Sequence, residues 1–216
     1  MAAALPYDPD QEPQGERRTL LERTPHGVSV LDVGCWSGFA GRFLIRERDV
    51  VIDGVEPDTD MAARARESYR TVYAERVEDA ARMLAEEGTG YDVVLCLDVL
   101  EHLVDPAGAL AALRGLAPRG RALISLPNVA HWSLRKELLR GRWEYTESGL
   151  LDRTHLRFYT LDTARSLLSQ AGWRVEWESS SPGQPPLVRL PAQRLGVLQR
   201  WPRLFGVQLL FDAVPA

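Results

Sequence analysis

Asp98, Glu101 and His102 stand at positions i, i+3 and i+4 of one short run just past an apolar stretch, and all three side chains take up protons or hold cations. If the run is helical they share a face. An imidazole titrates near neutral pH and suits a base that relieves a hydroxyl of its proton, whereas a bound metal would instead lower that hydroxyl's pKa. A second chemical signal lies upstream, where Val30-Leu31-Asp32-Val33 runs into Gly34-Cys35-Trp36-Ser37-Gly38 and then a helix pattern from Phe39. Glycines there let backbone N–H groups approach a ligand, and the helix N-terminus offers partial positive charge. Val51 to Val55 form a second buried strand ending in Glu56, a carboxylate able to accept from both ribose hydroxyls. The positions two and five after Gly34 are Trp36 and Phe39, so the G-x-G-x-x-G of a dinucleotide site is not met. A nicotinamide-dependent oxidoreductase is therefore only a remote reading.

The elements that must position these groups are legible. Apolar runs at 28–33, 50–56, 71–75, 91–97 and 120–126 alternate with helical patterns, as in a parallel sheet covered on both faces. Ligands of such sheets gather at the carboxyl ends of the strands, where the groups above fall. Asp58 is positioned to cap one helix, Asp105-Pro106 to open another, and Thr160 to cap a third that Gly172 stops. Strands follow at about 173–179 and 204–213. Residues 129–158 break the alternation with a helical piece, His131 to Leu139, and a polar turn-rich stretch. This reads as a substrate-binding lid in which Trp132, Trp143 and Tyr145 either line a pocket or pack the lid down. His131 either enters the site from the lid or is structural. Residues 1–18 read as a loose lead-in and 19–216 as a single domain, with a Pro-rich basic connection at 181–203.

Composition narrows the partners. At 216 residues, with net charge −4 and 45% hydrophobic content, the chain has an ordinary soluble composition and lacks the basic surface of a nonspecific nucleic-acid binder. DNA is not an expected partner, and RNA is a disfavoured one. No basic leader and no apolar run of membrane-spanning length is present, so the expected compartment is the cytoplasm. Cys35 and Cys96 read as small core residues.

Leu31-Asp32-Val33-Gly34-Cys35 with Gly38, Asp92 to Leu103, and Ser125-Leu126-Pro127-Asn128 occur in the order of three motifs of class I S-adenosylmethionine-dependent methyltransferases, which this chain resembles. The resemblance implies an α/β Rossmann-like fold: a mostly parallel seven-stranded sheet with helices on both faces and a lid insertion after strand 5. It implies that Asp32, Gly34, Cys35 and Gly38 hold the methionyl end of the cofactor, Glu56 the ribose, and Val77 and Glu78, or their neighbour Asp79, the adenine. Leu97 would border it. Asp98-x-x-Glu101-His102 is similar to the Glu-x-x-Glu-His motif of ubiquinone-pathway O-methyltransferases and small-RNA 2′-O-methyltransferases, with His155 in Asp152 to Thr160 matching their downstream histidine. Those families imply His102, His155 and Glu101 as catalytic groups, and Asp98, Glu101, His102 and His155 as ligands of a divalent metal, Mg, Mn, Zn or Fe. In many class I enzymes the same Glu-His pair serves without metal. Over nearly the whole length the chain resembles uncharacterised bacterial methyltransferases encoded beside glycosyltransferases, which implies a small-molecule acceptor, sugar-containing or a secondary metabolite. Two departures stand out: Trp36 where most of the superfamily has Gly, and Arg76 where many relatives carry an adenine-binding Asp. The rival expectations are a non-catalytic binding subunit whose Trp36 fills the cofactor pocket, and a metal-dependent RNA 2′-O-methyltransferase.

Overall fold

A computed structural model describes residues 13–182 and 201–216, the side chains of Glu16, Pro182 and Pro202 excepted. The seven expected strands form as β1 (Ser29–Val33), β2 (Val51–Val55), β3 (Thr71–Tyr73), β4 (Val93–Leu97), β5 (Arg121–Pro127), β6 (Trp173–Pro182) and β7 (Gly206–Pro215). They make one sheet in the order β3-β2-β1-β4-β5-β7-β6. β1 to β5 run parallel, and the β6–β7 hairpin adds antiparallel beside β5. Strand order reverses between β1 and β4, and the crevice beyond their carboxyl ends is where an open α/β sheet binds ligands.

Helices pack on both faces because each carries an apolar stripe. α1 (Gly15–Leu21), α2 (Phe39–Arg48) and α3 (Thr59–Ala65) contribute to one core with Leu20, Leu21, Phe43, Leu44 and Ala62. On the other face α4 (Val77–Glu86), α5 (Pro106–Leu116) and α7 (Leu161–Gln170) bury Leu84, Leu110, Leu113 and Leu168 around Trp173. The expected caps form. Asp58 accepts from the N–H groups of Asp60 and Met61, Asp105 from Gly108, and Thr160 makes a reciprocal pair with Thr163. The lead-in is shorter than expected, since α1 begins at Gly15 and covers part of the 1–18 segment. Of the expected Pro-rich connection, residues 183–200 lie outside the described residues, as do 1–12 of the lead-in.

After β5 the chain leaves the sheet and returns to α7 (Leu161–Gln170). Asn128 pairs with Tyr159 at the stem of this insertion, and α6 (Trp132–Leu138) supplies its helix. A small core of Leu134, Leu150, Leu151 and Val207 packs it down. Asn128 is fully buried, its amide donating to the Gly206 carbonyl and its side-chain oxygen accepting from Ala130 N–H, which turns the chain out of the sheet. Among the described residues no helix is long and apolar enough to cross a membrane.

Candidate active site

A cavity of about 600 Å³ opens at the crevice, floored by Val33, Gly34, Val55 and Leu97 at the ends of β1, β2 and β4. Glu56, Arg76, Val77 and Glu78 line one side. Glu101, His102 and the lid residues Ser148, Gly149, Asp152, Thr154 and His155 line the other. Its charged lining is acidic, with Glu56, Glu78 and Asp152 set against Arg76, while Asp98 is paired with Arg17 and Glu101 is buried. Val77 and Glu78, two of the residues expected to meet adenine, line the cavity, and Asp79 stays outside the lining.

The glycine turn is shaped from beneath. Asp32 is buried and does not line the cavity; its carboxylate accepts from the Tyr69 hydroxyl at 2.5 Å, and that hydroxyl in turn accepts from Gly41 N–H at 3.0 Å. Burial, first, pushes the Asp32 pKa up to about 7, with the Glu56 charge adding to the rise and the Tyr69 hydrogen bond opposing it. Cys35 and Gly38 likewise sit outside the lining. Gly38 takes φ +83°, and a Cβ there would come within 2.9 Å of the Tyr69 ring, so both conformation and space demand glycine. The motif residues Asp32, Cys35 and Gly38 therefore act on the shape of the turn, and the cavity itself is met by Gly34 and Trp36.

Trp36 adopts φ +49°, a conformation rare for a bulky side chain. Its N–H donates to one oxygen of the buried Glu56 carboxylate at 3.0 Å, and Asp58 N–H donates to the other at 2.9 Å. Glu56 consequently serves as a backbone clamp as well as a wall of the cavity.

At the end of β4 the expected shared helical face does not form. Asp98 has φ +58°, and only Leu100–His102 make a helical turn, of the 3₁₀ type. Glu101, His102 and His155 come together, with one ligand atom of each lying within 4.8 Å of the others. Asp98 is not in that group. Its carboxylate accepts from Arg17 at 2.5 Å, from the Ser125 hydroxyl at 2.8 Å and from the Gln208 amide at 2.6 and 2.7 Å. Of the four side chains expected together, three gather, and the fourth carboxylate is engaged by three donors from α1, β5 and β7.

Within the trio, Glu101 is buried and its Oε2 has no hydrogen-bond partner among the described residues; burial and then the Asp98 charge hold its carboxyl well above the usual range. His155 Nε2 lies 4.0 Å from Glu101 Oε1, and the two imidazoles meet edge to face at 4.8 Å. Burial, followed by the neighbouring His102, pushes the His155 pKa down from its ordinary value. His102 is exposed to the cavity and its Nδ1 faces the Thr154 carbonyl at 3.3 Å and the Thr154 hydroxyl at 3.2 Å. A carbonyl only accepts, and the Thr154 hydroxyl already donates to Asp152 at 2.6 Å, so Nδ1 carries the proton and Nε2 keeps its lone pair. Partial burial opposes it, yet the hydrogen bonds from Thr154 and then the two imidazoles hold Asp152 below its ordinary range.

The lid aromatics stay outside the cavity. Trp143 stands edge-on to Phe158 at 5.3 Å and Tyr145 lies 6.3 Å from the same ring, and neither these two nor Trp132 lines the cavity. His131 is buried and caps α6, its Nδ1 2.8 Å from the Ser133 hydroxyl, and burial lowers its pKa to about 4. Arg17, Gln208, Tyr69 and Thr154 are the supporting residues that the sequence pattern did not single out. Only Thr154 carried a signal, two residues after Asp152, a spacing at which a carboxylate meets nearby hydroxyl and N–H donors.

The chain is 31% identical to the ubiquinone biosynthesis O-methyltransferase of Xylella fastidiosa over 113 residues, 50% of this chain and 46% of that protein. It spans just under half the length of the curated relatives it matches. An S-adenosylmethionine-dependent methyltransferase from Archaeoglobus fulgidus has a similar structure, with TM-score 0.64 at 19% identity, covering 91% of this chain and 90% of that one. The magnesium protoporphyrin IX methyltransferase of Synechocystis with bound S-adenosylmethionine aligns with TM-score 0.58 at 16% identity, covering 92% and 76% respectively. A methyltransferase-domain family model matches residues 7–177. With that match over most of its length, and the seven-stranded sheet that places the motif residues around one crevice, the chain belongs to the class I S-adenosylmethionine-dependent methyltransferase family.

Proposed function

We propose that this protein transfers a methyl group from S-adenosylmethionine to a hydroxyl oxygen of a small polar or glycosylated acceptor, with His102 as the base. The observation that carries the reading is the fixed tautomer of His102: the Asp152–Thr154 pair keeps the proton on Nδ1 and leaves the Nε2 lone pair on a residue lining the cavity. S-adenosylmethionine, when bound, supplies a methyl carbon whose bond to sulfur breaks with its electron pair going to sulfur while the acceptor oxygen forms the new bond. His102 takes the proton that this oxygen releases, and the lid residues Ser148 to His155 hold the acceptor and keep water out. His155 packs edge to face against the His102 ring and holds it in place.

The acidic lining supports a neutral or cationic acceptor over one carrying phosphate, which argues against the RNA-directed alternative. The non-catalytic alternative is disfavoured by the cavity itself, since Trp36 forms part of its wall and leaves about 600 Å³ open.

A metal-assisted version has one specific observation behind it. Glu101 Oε2 is buried without a hydrogen-bond partner among the described residues, and two imidazoles with one carboxylate suit a divalent transition metal. Glu101, His102 and His155 would hold the ion, which would lower the pKa of the acceptor hydroxyl.

The test is turnover of acceptor hydroxyls by wild type and His102→Ala, with and without chelator, beside calorimetric titration with S-adenosylhomocysteine. The expected result for His102→Ala is a kcat lower by about 10²- to 10⁴-fold with S-adenosylhomocysteine affinity kept. Unchanged turnover would remove His102 from the chemistry, and loss of turnover on chelation would favour the metal-assisted version.

A further inference from the structure

The described residues with positive φ that are not glycine are Trp36, Asp49 and Asp98. Asp49 ends α2, an ordinary place for that conformation, but Trp36 and Asp98 both line the cavity. Strain of this kind persists only where surrounding contacts enforce it, and it concentrates at functional sites. At Trp36 the enforcing contact is visible. The buried Glu56 carboxylate takes the Trp36 N–H on one oxygen and Asp58 N–H on the other, holding the turn in the form that puts the indole on the cavity wall with 39% of the residue exposed.

An indole is the best aromatic partner for a cation, and recognition of fully substituted onium groups is an established use of such rings. Trp36 follows the end of β1 and lines the same cavity as Gly34, Leu97 and the carboxylates of Glu56, Glu78 and Asp152. We propose that Trp36 is a specificity-determining residue that recognises the positive sulfonium of the methyl donor, and that Glu56 is the positioning residue that holds it in place. The inference rests on the S-adenosylmethionine reading above. Transfer of the methyl group leaves sulfur as a neutral thioether, so the same contact that favours the donor releases the product.

The test compares two ligands of nearly one shape, neutral S-adenosylhomocysteine and the amine-bearing, cationic analogue sinefungin, titrated calorimetrically into wild type, Trp36→Gly, Trp36→Leu and Trp36→Phe. The readout is the ratio of the two dissociation constants, in which losses common to both ligands cancel. The expected result is a preference for the cationic ligand that falls by about three- to thirtyfold in Trp36→Gly and Trp36→Leu and is largely retained in Trp36→Phe. Gly is at home at φ +49°, so Trp36→Gly keeps the comparison usable if the leucine variant folds poorly. A ratio unchanged within twofold, with both affinities reduced together, would make the indole a mere wall and overturn the inference. Failure of wild type to bind either ligand would instead overturn the cofactor reading itself. Glu56→Gln, which keeps one acceptor oxygen for the Trp36 N–H, is expected to retain more of the ratio than Glu56→Ala, and equal ratios in the two would remove Glu56 from the positioning role.

Discussion

Asp32 shows how a motif residue can govern a site it does not touch. Its carboxyl is sealed beneath the glycine turn with the Tyr69 hydroxyl donating to it, and burial holds its pKa at about 7 against an ordinary 3.8. The folded state therefore keeps a proton on Asp32 that the unfolded chain gives up above about pH 4. Stability from this group is fully present below the unfolded pKa and is lost as pH rises through the folded one, a linkage worth a few kcal/mol across the window. Asp32→Asn keeps an acceptor for Tyr69 and removes the titration. The wild type is expected to lose melting temperature between pH 5 and pH 8 more steeply than Asp32→Asn, with the variant the more stable at pH 8. Parallel curves from differential scanning calorimetry would place the titration elsewhere.

Elements differ in how much of their placement their own residues state. β4 is a continuous apolar run buried along its length because both faces of the sheet are covered, and Asp58, Asp105 and Thr160 announce their helices because each satisfies backbone N–H groups locally. α1 was hidden because it is short and charged, and what orders it lies far along the chain: Arg17 meets Asp98, and Arg23 just beyond it meets Asp212 on β7. The turn at Asp98 was misread for the same reason, since its conformation is imposed by long-range partners rather than by neighbours. The trio of Glu101, His102 and His155 was legible through motif order, whereas the fate of Asp98 depended on Gln208, more than a hundred residues away. α2 offers a test of how tightly its element is seated. Gly41 in its first turn faces the Tyr69 ring, and a Cβ there would fall 2.3 Å from the ring and 2.5 Å from its hydroxyl oxygen. Alanine gains about 1 kcal/mol of helix propensity, but Tyr69 is tethered by two hydrogen bonds and cannot swing away. Overpacking is expected to win, so Gly41→Ala should lose about 1–3 kcal/mol in urea denaturation. The penalty should shrink in a Tyr69→Leu background, and a full additive penalty there would show that the clash lies elsewhere.

At the scale of the whole molecule, the two ends of the described chain converge on one carboxylate of the site. Arg17 comes from α1, Ser125 from β5 and Gln208 from β7, and all three donate to Asp98 at the mouth of β4. Asp212 repeats the pattern lower in the sheet, where it is fully buried and paired with Arg23 and with Arg121 of β5. These two carboxylates tie α1 and the residue just beyond it to β7, so loosening of the N-terminal helix is expected to reach Asp98 in the cavity lining. The Asp98 and Arg17 side chains are 14% and 17% exposed, which makes their pair largely shielded from water, and removing one member of such a pair leaves a poorly solvated charge. Asp98→Ala is expected to lose about 2–4 kcal/mol of stability, below the 3–5 kcal/mol typical of fully buried pairs because Arg17 can reach some solvent. The loss should not be local. Amide exchange is expected to rise across residues 15–21 together with 206–210, while the capped helix 161–170 keeps its protection, because α7 draws its order from its own cap and from the opposite core. Exchange that rises only at residues 98–103 would mean that the carboxylate organises its own turn and that α1 is held by Arg23 and its apolar face alone.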